Sequence, residues 1–265
     1  MQDRTDPETA SMIREHLRGL DDQTLSLLRA EAASGTDQAL MEIEMLLHER
    51  IWCGISKAIA ELVQDPESSL EDAVTQIARF GHLDCSACVL KTEFQRLADL
   101  CHSSFEGNDS ARVKTFKIAK VLGHDLGFVG NQNDYYSPEN SYIDSVLDSR
   151  LGIPLTLSIL YIIVGQRLGL PVHGVALPGH FIVGLFVRNR KPIYLDPFRR
   201  GIELSKLECV QLVEQCGYLY EDTHLQPVNT SLIIRRLLNH LYRSYASRED
   251  QRRLDGIRDL MRAAN

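Results

Sequence analysis

His180 and Asp196 have the residue types and spacing for acid–base chemistry. They stand in Pro178-Gly179-His180-Phe181 and Leu195-Asp196-Pro197-Phe198, within two apolar stretches that read as adjacent strands of a hairpin. Cross-strand neighbours touch, so the carboxylate can orient the imidazole. An imidazole held in this way is a base, and a base activates a nucleophile within hydrogen-bond reach. The N-terminus of the preceding helix is where such a nucleophile would gain, because the helix dipole favours a thiolate. Gly152-Ile153-Pro154 opens that helix, so position 154 carries no nucleophile. Proline suits a first helical position because its missing N–H would have had no partner there. Thr156 and Ser158 are the substitute hydroxyls, although a hydroxyl inside an apolar helix tends to bond back to its own carbonyls.

A second set of residues has the chemistry to bind rather than react. Asn140 and Ser141 can donate to a bound anion, and Asn140 equally suits the cap of a following helix. Tyr136, beside Tyr135, offers a ring either for stacking or for loop packing. With Thr156, these are the candidate binding residues. Cys85-x-x-Cys88, His82 and Cys101-His102 have the types of zinc ligands. The Cys pair falls on a helix without a knuckle turn, so it is expected to pack in the core and to hold no metal. No cofactor motif is read.

The elements that must position the pair follow from patterning. Pro154–Leu168 is apolar on every side and is expected to be a central buried helix. Val172–Leu177, Phe181–Val187 and Ile193–Leu195 are rich in β-branched and aromatic residues and read as strands, with a connection at Asn189-Arg190-Lys191-Pro192. Helical spacing runs through residues 8–62, with a break at Ser34-Gly35-Thr36-Asp37. Further helices are expected near 69–80, 84–101, 111–124, 141–149 and 205–216. Two more amphipathic helices fill 229–263. The division expected is a helical region over 1–110, a core over 111–220 and a C-terminal helix pair over 221–265.

Composition bounds the class. The chain has 265 residues, 44% apolar and 25% charged, which is enough for a packed core. A net charge of −7 argues against a general nucleic-acid surface. The longest apolar run, Leu151 to Val164, includes Pro154, Thr156 and Ser158 and fits a core helix better than a membrane span. The polar, acidic start Met1-Gln2-Asp3-Arg4 is unlike a signal peptide, so a cytoplasmic location with reduced thiols is expected.

Taken together, the motifs resemble one family. They are Phe128-x-Gly130-Asn131, Tyr135-Tyr136-x-Pro138-x-Asn140-Ser141, Val146-Leu147-x-x-Arg150-x-Gly152-Ile153-Pro154 and Leu157-Ser158-x-Leu160-Tyr161. Arg167-Leu168-Gly169-Leu170-Pro171, Pro178-Gly179-His180-Phe181 and Asp196-Pro197-Phe198-x-x-Gly201 complete the set. They are similar to the SirB-type branch of the transglutaminase-like superfamily, densely from about 124 to 216. The resemblance implies an α+β, papain-like core with a small antiparallel sheet, flanked by N- and C-terminal helices. It implies that the superfamily's catalytic His and Asp are His180 and Asp196, and that its nucleophilic Cys position is Pro154. The C-terminal pair resembles a tetratricopeptide unit through Asn239, Leu241, Tyr242 and Tyr245, then Leu254, Ile257, Leu260 and Met261. One such unit cannot cover its own apolar face and must pack on the domain before it. The expected role is a non-catalytic protein- or peptide-binding module. The alternative is a hydrolase or acyl transferase working through His180–Asp196 with activated water or an unconventional nucleophile. No nucleic-acid or membrane partner is expected.

Overall fold

The computed structural model describes residues 15–17, 19–20, 24, 27–28, 37–65 and 68–265. The expected helices before residue 37, and the break at Ser34-Gly35-Thr36, fall wholly or mostly outside the described residues. The chain divides into a unit ending at Ser56 and a unit Lys57–Asn265. Helix α1 is Asp37–Gln64. Everything below concerns the second unit.

That unit begins with α2 (Leu70–Gly81) and α3 (Ala87–His102). Ser69 caps α2 by accepting from the Asp72 N–H. Helix α4 (Ala111–Ala119), capped by Ser110, continues into a wider π-type turn over Lys120–Asp125. Strands β1 (Val129–Gly130) and β2 (Leu151–Gly152) form a short parallel pair around α5 (Ile143–Ser149). Helix α6 (Pro154–Arg167) follows at once.

Every residue of α6 from Pro154 to Gly165 is buried. Such all-round apolarity belongs to a helix enclosed by its neighbours. It packs on β3 (Val172–Val175) and β4 (Ile182–Leu185), and on α3. With β5 (Ile193–Asp196), β6 (Ile202–Leu204) and β7 (Pro227–Val228) these strands make an antiparallel sheet in the order β6-β5-β4-β3-β7. Helix α7 (Lys206–Gln215) starts with a reciprocal Ser205–Glu208 cap. Its Cys209 and Val213 close a core with Val175, Leu177, Ile182 and Leu204.

Helices α8 (Thr230–Ala246) and α9 (Gln251–Ala263) pack on one another, and α8 also packs on α6, α2 and the 138–141 turn. Tyr142 and Tyr245 share a buried hydroxyl hydrogen bond of 2.8 Å. Arg253 donates to the carbonyls of Phe80 and Gly81 at 3.0 and 3.1 Å. The C-terminal pair is thus tied into the same compact unit as the core. Among the described residues, no helix is long and apolar enough to cross a membrane.

Candidate functional site

Asp196 closes β5 and is fully buried. His180 lies in the loop just before β4, and the β4–β5 register pairs Val183 with Leu195. That register brings His180 Nε2 to 3.0 Å from Asp196 Oδ2. The same oxygen accepts from Arg199 Nε at 2.7 Å, and Oδ1 accepts from the Phe198 N–H at 3.0 Å. Burial alone would push the Asp196 carboxyl up. The hydrogen bonds and positive charge of His180 and Arg199 outweigh it and hold the carboxyl below its ordinary value. The acid is therefore an anion at neutral pH, and it fixes the imidazole with Nδ1 as the second ring nitrogen. Among the described residues, Nδ1 has no protein partner.

Gly179 adopts φ +77°, and a side chain there would collide with Cys216. Glycine lets the loop turn sharply beside Cys216 and aim His180 into a cleft of about 560 Å³. Ile153 just before α6, Pro154 and Leu155 at its start, and Phe181 also line the cleft. Pro154 and His180 thus share one cavity. The third wall is α8, through Arg236, Asn239, His240 and Arg243. Tyr135 and Tyr218 complete the rim.

The other sequence candidates fall in different places. Tyr135 lines the cleft, while Tyr136 is 58% exposed and stacks on the His240 ring, 6.4 Å between centroids. Asn140 holds a loop rather than capping a helix. It accepts from Asn131 Nδ2 at 2.9 Å and donates to the Asp134 and Tyr135 carbonyls at 2.6 and 3.2 Å. Ser141 Oγ bonds His240 Nδ1 at 3.1 Å. Thr156 is buried, and its hydroxyl has no partner among the described residues. Ser158 Oγ donates to the Phe181 carbonyl at 3.4 Å. Neither Thr156 nor Ser158 lines the cleft. Among the described residues, no group of three or more His, Cys, Asp or Glu is placed to hold a metal.

Sequence reading missed the α8 wall. Its residues stand at i, i+3, i+4 and i+7, which is one helical face, and that spacing was the available signal. Arg236 donates to the carbonyls of Ala176, Leu177 and His180 at 3.3, 3.0 and 3.1 Å. It also lies over the Phe181 ring, 5.8 Å from its centroid. The guanidinium therefore clamps the His180 loop from the C-terminal helix.

A family profile described as "Transglutaminase-like superfamily" matches residues 89–239, which is more than half of the chain. The chain belongs to the transglutaminase-like superfamily. Within this superfamily it is similar to the UPF0162 protein of Xylella fastidiosa (strain 9a5c), 32% identical over 70% of this chain and 68% of that protein. The UPF0162 protein of Vibrio cholerae is 31% identical over 71% of this chain and 63% of its own length. Human F-box only protein 21 is 34% identical over 65% of this chain, a match that covers 29% of that longer protein. No solved structure matches. The matched transglutaminase-like region holds both members of the His180–Asp196 pair, Pro154 and most of α8, including Arg236 and Asn239. His240 and Arg243 fall just beyond it.

Proposed function

We propose that this protein is a non-catalytic transglutaminase-like module that binds a protein or peptide in the cleft between α6, the His180 loop and α8. The observation that carries the reading is Pro154 lining the same cleft as His180. The base and its orienting acid are intact, and the position where a superfamily thiol would stand has none. The closest hydroxyls on α6, those of Thr156 and Ser158, lie outside the cleft. We assign the chain to the SirB-type branch and read α8–α9 as a tetratricopeptide-like pair that contributes a cleft wall. We place the protein in the cytoplasm.

The test is turnover. Wild-type protein offered glutamine-containing peptides, with and without an amine acceptor, should release no ammonia and form no amide bond above background. Turnover that disappears in both His180→Ala and Asp196→Ala, with circular dichroism unchanged, would overturn the reading. One feature favours a second reading, a hydrolase that activates water. His180 lines the cleft, and its Nδ1 has no protein partner among the described residues. An imidazole held through Nε2 by a buried carboxylate is set up to take a proton at Nδ1.

A further inference from the structure

The ionisable residues lining the cleft are, beside two tyrosines, His180, Arg236, His240 and Arg243. Among the described residues, no Asp or Glu lines it, in a chain whose net charge is −7. Asp196, the carboxylate that holds His180, is itself buried and also held by Arg199. A cationic cleft in an anionic protein concentrates anions against the sign of the whole surface.

The two arginines differ in use. Arg236 spends its N–H groups on three carbonyls, which are neutral, so its full charge stays at the wall. Arg243 is exposed, and among the described residues its side chain has neither hydrogen bond nor ion pair. Its planar fork is shaped for two parallel bonds to a carboxylate. His240, one turn before it, is hydrogen-bonded at Nδ1 to Ser141 Oγ at 3.1 Å and to Ser244 Oγ at 3.4 Å. Its Nε2 is buried and has no partner among the described residues. Burial and the charge of Arg243 hold His240 down to about 4, so its ring is neutral at pH 7 and the charge of this wall is that of the arginines. Beside these groups lies an apolar floor of Ile153, Pro154, Leu155 and Phe181.

We infer that the cleft selects a peptide by its carboxylate, which pairs with Arg243 while a neighbouring apolar side chain rests on the Pro154–Phe181 floor. This deepens the peptide-binding reading and rests on it. The carboxylate is either a free C-terminus or an Asp or Glu side chain. Arg236 and Arg243 are two helical turns apart, about 10 Å, so a hexapeptide, about 20 Å when extended, is long enough to span the cleft.

Hexapeptide pools labelled at the N-terminus with an uncharged BODIPY dye, with the remaining positions mixed from Ala, Phe, Ser and Gly, provide the test by fluorescence anisotropy. One pool ends in a free carboxylate, one is amidated, one is amidated with a fixed Glu, and one is amidated with a fixed Lys. One or both carboxylate pools should bind at least about tenfold tighter than the neutral amidated pool, and the Lys pool weakest. Which carboxylate pool wins identifies the source. Arg243→Gln should erase the advantage of the carboxylate pools over the neutral pool. Equal binding of neutral and carboxylate pools, or an advantage that survives Arg243→Gln, overturns carboxylate selection while peptide binding stands. Failure of every pool to bind overturns the inference and removes support from the peptide-binding reading itself.

Discussion

Asp196 holds three partners with two oxygens, and none of the three can be lost without leaving a buried anion short of a donor. Asp196→Asn should therefore destabilise the protein by about 3 kcal/mol in urea denaturation, the scale of breaking a buried ion pair. The carboxyl is depressed in the folded state, so its contribution is present above its ordinary value of 3.8 and is lost as pH falls below it. His82 titrates in the opposite sense. Its Nδ1 lies 2.6 Å from Asp144 and its Nε2 3.2 Å from Glu139, and these bonds, Asp144 first, raise it to about 9. Its stabilisation is complete below 6.5 and disappears as pH rises through about 9. Thermal unfolding of wild type and His82→Gln should accordingly differ at pH 6 and converge above pH 9.5. Equal separation at both pH values would contradict this. Pro154→Cys places a thiol at a helix N-terminus in the same cleft as His180, and it should alkylate with iodoacetamide faster than the native thiols. Burial pushes Cys85 and Cys209 to about 11 and Cys101 to about 12, which keeps them slow. His180→Ala in that background should slow the new thiol again. Peptide mapping of the label separates it from Cys216 beside Gly179.

At the scale of elements, legibility tracked length and apolar pattern. Helix α6 was readable because an unbroken apolar run with Pro at its start has few other interpretations. Strands β3, β4 and β5 were readable from Val, Ile, Leu and Phe, and so was the approach of His180 to Asp196, since hairpin neighbours meet. Strands β1, β2, β6 and β7 have two or three residues each, too few to show any period. The α8 wall was hidden for another reason. A polar stripe on an amphipathic helix looks the same whether it meets water or a cleft, and only packing against α6 decides. The π-type turn after α4 was also unmarked, although Gly123 within it is telling. A side chain at Gly123 would run into the backbone of Arg200, whose guanidinium bonds the Gly123 carbonyl at 2.9 Å. Backbone cannot step aside as a side chain can, so Gly123→Ala should lower stability by about 1–3 kcal/mol in chemical denaturation. A neutral result would mean that the turn shifts freely.

On the scale of the whole unit, the C-terminal pair is structural support and site wall at once. Ile233, Ile234, Leu237, Leu238 and Leu241 of α8, with Ile257 and Leu260 of α9, are each 2% exposed or less. At about 1.5–3 kcal/mol for each buried side chain, their loss is about 10–21 kcal/mol, as large as the roughly 5–15 kcal/mol net stability of a typical domain. A chain ending at residue 220 should thus lose its cooperative thermal transition and bind a hydrophobic dye. A sharp transition in that fragment would show that the 57–220 segment stands alone. The position of this wall in the chain also has a temporal side. A ribosome adds about 5–20 residues per second, so Arg243 is made several seconds after His180. During that interval the nascent chain already holds His180, Asp196 and the apolar start of α6, and it lacks the helix that covers one flank. The cleft is therefore completed only when α8 has been made, and until then its apolar residues are open to a chaperone or a wrong neighbour.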